Sequence, residues 1–296
     1  MLDENRRLYL RKLLSNNYKI KGVLRYIDEI DEELILKDDN LIMKVYYRIN
    51  KDKIDEKFLR KVMKRANDIL KGKRMIINLI LSLEKKKFNN CKTDILTEGN
   101  VNSGFTFVNS NEIFIFRREE FPKVILHEMI HHNLNIHNDE FKKINDIKLK
   151  EAFGIRNDTK IILNEAMVEL WAMMLHLSYI AKDNNWNLNE LIKMELNYSL
   201  YKCYQIMGLR DKNGNLWYDK CNIYSYIIFK TILLNYIDEL NRIYKYPNRY
   251  DDSKITDFII NHRKLPEINK NPKFKLGRRV FQREDKSLCF MLLSDL

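Results

Sequence analysis

The segment REEFPKVILHEMIHHN, residues 118–133, contains the strongest local indication of the fold. Apolar residues recur along it at helical spacing. Glu119 and Glu120 stand at its start and Pro122 falls in the first turn, as is typical of a helix N-terminus. The sequence therefore predicts a helix here, and the rest of the fold must be arranged around it.

Strand-like segments precede this helix. FTFV (105–108) and EIFIF (112–116) are separated by a short polar turn, which predicts a β-hairpin. RMIINLILSL (74–83) is a nearly continuous apolar run bounded by charge, which indicates a buried central strand. LIMKVYYRI (41–49) is rich in β-branched and aromatic residues and predicts a further strand.

Helical patterns flank the strands and dominate the second half of the chain. The predicted helices, besides the one already quoted, are 4–17, 22–34, 55–72 closed by Gly72, 141–150, 162–181 and several from 186 onward. Strands followed by helices predict an α+β fold, with a small mixed sheet and a mostly helical C-terminal part. We divide the chain into an N-terminal α/β region (1–72), a core (73–182) and a helical region (183–296).

Composition favours an intracellular protein of a reducing compartment. The 296 residues are 45% hydrophobic, enough for a sizeable core. The N-terminus MLDENRRLYLRKLL has no apolar secretion signal, and no apolar run reaches the length of about 18 residues needed to span a membrane. The four cysteines form no Cys-x-x-Cys pair; they are Cys91, Cys203, Cys221 and Cys289. We expect a cytoplasmic protein, with no membrane partner.

The net charge of +12 is compatible with an anionic partner such as nucleic acid. The charge is scattered, however, and the basic runs at 85–87 (KKK) and 273–279 (KFKLGRR) are short. A solvated basic surface is the simpler interpretation, so nucleic acid is not strongly indicated. The sequence does not reveal the oligomeric state.

Four of the six histidines fall between residues 127 and 137. His127-Glu128-Met129-Ile130-His131 is an H-E-x-x-H motif on the predicted helix. Residues four apart lie one above the other on a helix, so both imidazoles can reach one tetrahedral Zn²⁺. Glu128 lies about 100° further round, where it can act as general base on a water without binding the metal.

A zinc site of this kind needs a third ligand, and one candidate is Glu165 in the segment NEAMVE, 164–169. Glu165 and Glu169 lie four apart on one face of a strongly apolar helix. Two stacked carboxylates are costly to bury unless a cation compensates them. A metal ion with its histidines would do so.

The combination of H-E-x-x-H with a later N-E-x-x-x-E resembles the gluzincin branch of the zincin metallopeptidases. The resemblance implies that His127, His131 and Glu165 bind Zn²⁺, that Glu128 is the catalytic base, and that Glu169 orients His127. It also implies a zincin-like core in which an extended peptide pairs with an exposed edge strand. We expect EIFIF (112–116) to be that edge strand.

His137 is the alternative third ligand. Its spacing from His131 matches the metzincin pattern, but Leu134 occupies the position where that pattern has glycine. HNDEF (137–141) is also similar to a segment of the SprT-like proteases, which cleave DNA-bound proteins. Under this alternative the protein acts at DNA and Glu165 has no role at the metal.

Other histidines and the tyrosines carry weaker predictions. His132 points away from His131, and His176 lies too far along its helix to share a metal with Glu165. An oxyanion-stabilising His or Tyr is expected. Candidates include Tyr179, Tyr198, Tyr201 and Tyr204, among which the sequence does not choose.

Two broader interpretations complete the expectations. The segment from Phe116 to His131, together with Glu165 and 169–172, is also similar to uncharacterised metallopeptidase-like proteins of large DNA viruses of eukaryotes. That resemblance would place the chain in a host cytoplasm or a virion. A non-catalytic protein that keeps zinc as a structural staple, serving as an interaction or virion component, is the alternative outside the enzymes.

Overall fold

The structure is a computed structural model of the chain. It describes residues 2–70, 72–88, 95–107, 110–134, 143–209, 216–246, 250–266, 273–276, 278–283 and 286–296. His137 and Cys91 lie outside these residues, so the predictions made for them are not addressed.

The fold is mixed α+β, as predicted, and is built on a five-stranded sheet with the order β1-β2-β3-β5-β4. β2, β3 and β5 are mutually parallel, whereas β1 and β4 are antiparallel to their neighbours. The strands are β1 Glu32–Lys37, β2 Leu41–Tyr47, β3 Met75–Ile80, β4 Gly104–Thr106 and β5 Glu112–Ile115. The predicted strand at 41–49, the central strand at 74–83 and the hairpin are confirmed.

The helices are α1 Glu4–Asn17, α2 Lys21–Asp28, α3 Glu56–Asn67, α4 Glu98–Val101, α5 Phe121–Leu134, α6 Lys143–Phe153, α7 Leu163–Asn184, α8 Leu188–Met207, α9 Lys230–Asn235, α10 Ile237–Ile243 and α11 Asp252–Asn261. A π-helical segment, Tyr224–Phe229, precedes α9, and a small hairpin joins β6 Phe274–Leu276 to β7 Arg279–Phe281. No helix in the described ranges is both long and apolar enough to cross a membrane.

The chain forms two compact units. The first comprises Met1–Lys86, Asn102–Asn135 and Ser294–Leu296. Its sheet is covered on one face by an apolar cluster that includes Leu59 of α3 and Met129 of α5. A second cluster, with Leu10 of α1 and Val23 of α2, covers the other face. The sheet therefore holds α5 firmly against its strands.

The second unit comprises Lys87–Val101 and Ile136–Leu293 and is mainly helical. Its long helix α7 packs against α8, α9 and the π-helical segment. Within the described residues, the cysteines Cys203, Cys221 and Cys289 are buried and form no disulfide. The predicted helical C-terminal part is thus confirmed, whereas the three-region division of the chain stays a prediction.

A buried carboxylate on α8 binds the polypeptide near its C-terminus. The Glu195 oxygens accept hydrogen bonds from the backbone N–H groups of Leu292 and Leu293, at 2.8 and 2.6 Å. Burial raises the pKa of Glu195 to about 7, although these N–H groups and the charges of Lys230 and Arg283 oppose the rise. The backbone of this segment is therefore bound by the Glu195 side chain of the helical unit.

Three predictions made from the sequence were wrong in detail. The helix predicted at 22–34 ends at Asp28, because residues 32–37 pair with β2 as strand β1. The helix predicted at 55–72 ends at Asn67, because Ile69 and Leu70 turn back to bond the carbonyls of residues 66 and 67.

The third correction concerns the sheet edge. EIFIF was predicted as the edge strand, but β5 pairs with β3 on one side and with β4 on the other. The edge on this side of the sheet is β4. A hairpin following a parallel strand can place either arm outermost, and the alternation of apolar residues does not distinguish them.

Candidate metal centre

The start of α5 is fixed by ionic and polar contacts within the first unit. Glu120 adopts a left-handed backbone conformation, with φ 64°, and its carbonyl accepts the N–H of Val124 at 2.9 Å. The Asp295 carboxylate accepts the Glu120 N–H at 2.7 Å. The Glu120 side chain forms a buried ion pair with Lys86. The Asp295 contact satisfies a backbone N–H that a helix start otherwise leaves without a partner.

The two motif histidines converge on this helix. Nε2 of His127 lies 3.2 Å from Nε2 of His131, and the ring centroids are 4.9 Å apart. Two imidazole nitrogens bound tetrahedrally to one zinc at 2.0–2.1 Å lie about 3.3 Å apart. The spacing of the two nitrogens thus fits a shared zinc ion, as the i, i+4 spacing predicted.

Glu165, in the first turn of α7, joins the pair. One ligand atom from each of His127, His131 and Glu165 lies within 4.8 Å of the others, and all three side chains are buried. Two imidazole nitrogens and one carboxylate oxygen form a donor set that suits zinc. The group can hold a metal ion, and the identity of that ion as zinc stays a prediction.

The remaining predicted residues differ in burial. Glu128 is 7% exposed, close to the values of 7–9% for the three candidate ligands, whereas Glu169 is 1% exposed. Both acidic side chains are thus buried, and the role of Glu128 as general base stays a prediction. The support of His127 by Glu169 stays a prediction.

The structure does not place His132 or His176 in this group. His132 is only partly buried, and His176 is fully buried in α7. Neither belongs to the cluster of candidate ligands found among the described residues. The absence of His176 from the cluster agrees with its predicted distance from Glu165 along the helix.

Tyr250 is a candidate site residue that the sequence did not suggest. Its hydroxyl donates to Oδ1 of Asn164, the residue just before Glu165. Burial, with smaller contributions from Asp252, Tyr244 and Glu165, raises the pKa of Tyr250 above its ordinary range. The hydroxyl consequently keeps its proton at neutral pH and can donate a hydrogen bond.

An aromatic cluster places Tyr250 next to α7. Its ring meets Tyr244 edge-on at 5.6 Å, and Tyr244 lies 5.9 Å from Trp171 of α7. Trp171 also stacks on Tyr246 at 5.3 Å. Aromatic pairs of this kind stabilise a segment beyond the area they bury, so Tyr250 is held in place from two sides.

Two tyrosines considered from the sequence are engaged elsewhere in the helical unit. The Tyr198 hydroxyl donates to the carbonyl of Cys289 at 3.2 Å, and the Tyr201 hydroxyl accepts from Gln205 at 3.0 Å. Both side chains are buried. Their roles in this unit are packing and main-chain binding.

Comparisons of the chain with protein-family models, with curated proteins and with solved structures each found no match.

Proposed function

We propose that the protein is a zinc-dependent metallopeptidase in which His127, His131 and Glu165 hold the ion. The observation that carries the proposal is the convergence of these three side chains from α5 and α7, with Glu128 adjacent to the first histidine. A zinc ion with three protein ligands retains an open position, which distinguishes a catalytic site from a structural one.

Glu128 is the proposed general base. When bound, the zinc ion supplies Lewis acidity that polarises a peptide carbonyl and lowers the pKa of a water. The Glu128 carboxylate accepts a proton as the water oxygen bonds to the carbonyl carbon. It then passes that proton to the amine nitrogen as the C–N bond breaks. One water is consumed, and a carboxylate and an amine are released.

Tyr250 is the proposed oxyanion donor. The tetrahedral species formed in peptide hydrolysis carries negative charge on the former carbonyl oxygen, and a fixed neutral hydroxyl stabilises that charge. Tyr250 has such a hydroxyl beside the residue preceding Glu165. In the structure this hydroxyl donates its one proton to Asn164, so the hydrogen bond would turn from Asn164 to the oxyanion as the charge develops, while Tyr244 holds the ring.

The test combines metal content with cleavage. Zinc is measured by mass spectrometry in wild type, Glu165→Ala, His137→Ala and Glu128→Gln, and each protein is assayed on casein and a peptide library. We expect about one zinc per chain in wild type, loss of zinc in Glu165→Ala and retention in the other two. Glu128→Gln should lose cleavage by at least about 10²-fold.

His132→Ala is the matched control, because it removes a neighbouring imidazole from the same helix without touching the proposed ligands. Wild type that binds zinc but cleaves no substrate would instead support a zinc-stabilised interaction protein. Loss of zinc in His137→Ala, with retention in Glu165→Ala, would overturn the ligand set and favour the SprT-like alternative.

A further inference from the structure

The acidic residue Asp295 contacts the polypeptide at the point where α5 begins. Its carboxylate accepts the N–H of Glu120, the residue directly before the helix, at 2.7 Å. Both residues belong to the first compact unit, although 175 positions separate them in sequence. A carboxylate is favourable at a helix start, because the first N–H groups lack partners within the helix and form the positive end of its dipole. Asp295 therefore caps α5 from a distant part of the chain.

The backbone of Glu120 has a conformation that other contacts must hold. Its φ of 64° lies in the left-handed region, where a Cβ comes too close to the following carbonyl oxygen. Such a conformation persists only when its surroundings determine it. Here the Asp295 carboxylate binds the backbone N–H, and the buried Lys86 ammonium binds the side chain. These polar contacts thus set the direction in which the chain enters α5.

Burial of α5 leaves its rotation about the helix axis to directional contacts of this kind. Every residue from 121 to 131 is buried. A helix with an exposed polar face has one favoured rotation, but α5 has no such face over this length. Apolar packing against the sheet is non-directional, whereas a hydrogen bond at the helix start depends on angle. The contacts at the start of α5 therefore help to determine where its later side chains point.

We propose that Asp295 is a positioning residue for the metal centre, because by fixing the start of α5 it sets the direction from which His127 and His131 meet the ion. His127 lies seven residues beyond Glu120, about 10 Å along the helix at 1.5 Å per residue. Hydrogen bonds join consecutive turns, so a rotation of the first turn is carried to the later ones. The inference rests on the proposed function only in requiring a metal at His127, His131 and Glu165, and it does not require peptide cleavage.

Removal of the Asp295 carboxylate should weaken metal binding. Without this contact the start of α5 samples other directions, and the apparent Kd rises as the fraction of molecules with correctly placed histidines falls. The Kd for zinc is measured by competition with a chromogenic chelator. We expect Asp295→Ala to raise it by about tenfold, within the range that loss of a helix cap supplies. Asp295→Asn keeps an oxygen acceptor and should restore most of the affinity.

Asp55→Ala is the matched control, because it removes a capping carboxylate from a helix without candidate ligands. Asp55 accepts the N–H of Phe58 at 2.9 Å at the start of α3, which packs on the same face of the sheet as α5. Its loss should lower the free energy of unfolding, measured in urea, about as much as Asp295→Ala does. The Kd for zinc should stay at the wild-type value. An unchanged Kd in Asp295→Ala, or an equal rise in both variants, overturns the inference.

A second test needs no variant of Asp295. Coupling between two sites is reciprocal, so a metal bound through α5 must also strengthen the docking of Asp295. Hydrogen exchange of the peptide that contains residues 291–296 is followed by mass spectrometry with and without zinc. We expect zinc to slow this exchange in wild type and to leave it unchanged in His131→Ala. Wild type that binds zinc without slower exchange overturns the inference.

The outcomes separate this inference from the peptidase proposal. Zinc binding that depends on Asp295, in a protein that cleaves no peptide, supports the inference while the peptidase proposal fails. Cleavage by a zinc-loaded protein whose Kd does not depend on Asp295 overturns the inference alone. A wild type that binds no zinc overturns both.

Discussion

At the scale of residues, the centre concentrates ionisable groups in a nearly solvent-free place. His127, His131 and Glu165 are buried, and Glu128 lies beside the first histidine. Burial of carboxylates without compensation is expensive, and a divalent cation is an effective compensation. The proposed ion would therefore stabilise the fold as well as supply chemistry.

Tyr250→Phe tests the proposed oxyanion donor. Removing one such donor typically lowers kcat by about 10²–10³-fold, because the developing charge loses a fixed hydrogen bond. We expect this loss with zinc content and KM little changed, measured by steady-state kinetics on a peptide substrate.

Tyr244→Phe provides the comparison for that variant. It removes a hydroxyl from the neighbouring ring and keeps the aromatic packing. Equal loss of kcat in both variants would assign Tyr250 a packing role instead of a catalytic one.

Residue spacing explains which part of the site the sequence could predict. His127, Glu128 and His131 lie within two turns of one helix, and Glu165 belongs to a short motif, so each can be assigned locally. Tyr250 contacts Asn164 across 86 positions of sequence. No periodicity relates residues so far apart, and with 16 tyrosines the residue type alone was not informative.

At the scale of elements, α8 holds a titrating group that makes stability depend on pH. Glu195, with a pKa of about 7 in place of the ordinary 4.5, keeps in the folded state a proton that the unfolded chain releases. The contribution of Glu195 to the free energy of unfolding is constant below pH 4.5 and falls as pH rises toward about 7. The loss is about 3 kcal/mol, from 1.36 kcal/mol for each pKa unit.

Glu195→Gln should remove this dependence, because glutamine has the shape of the protonated acid and does not titrate. The urea concentrations at the unfolding midpoint at pH 5 and pH 8 measure this dependence of stability on pH. We expect wild type to lose more stability between these pH values than the variant does. Glu190→Gln, at an exposed position of the same helix, should behave as wild type, and an identical slope in wild type and Glu195→Gln would contradict the expectation.

The sequence predicts elements that depend on their own local pattern better than elements that depend on pairing with another strand. α7 and β3 are long, apolar and uniform, so their local pattern is decisive. β1 contains Glu, Leu and Lys, which favour helix locally, yet it forms a strand because β2 lies beside it. The edge position of β4 likewise depends on partners that no local pattern reveals.

At the scale of the whole molecule, the net charge of +12 predicts weak, salt-sensitive binding to any polyanion. Such binding is separate from the chemistry proposed here, because under our proposal Glu165 completes the ligand set and the reaction does not require DNA. Casein cleavage at physiological salt should therefore change by less than about twofold when duplex DNA is added. Stronger stimulation that disappears at high salt would favour the SprT-like alternative.

The contact between Asp295 and Glu120 has a consequence for biosynthesis. It joins positions 175 residues apart, and the earlier one starts the helix that carries both histidines. During translation this helix leaves the ribosome well before Asp295 has been made. In a nascent chain the N–H of Glu120 therefore lacks its carboxylate partner until a residue 175 positions later has been synthesised.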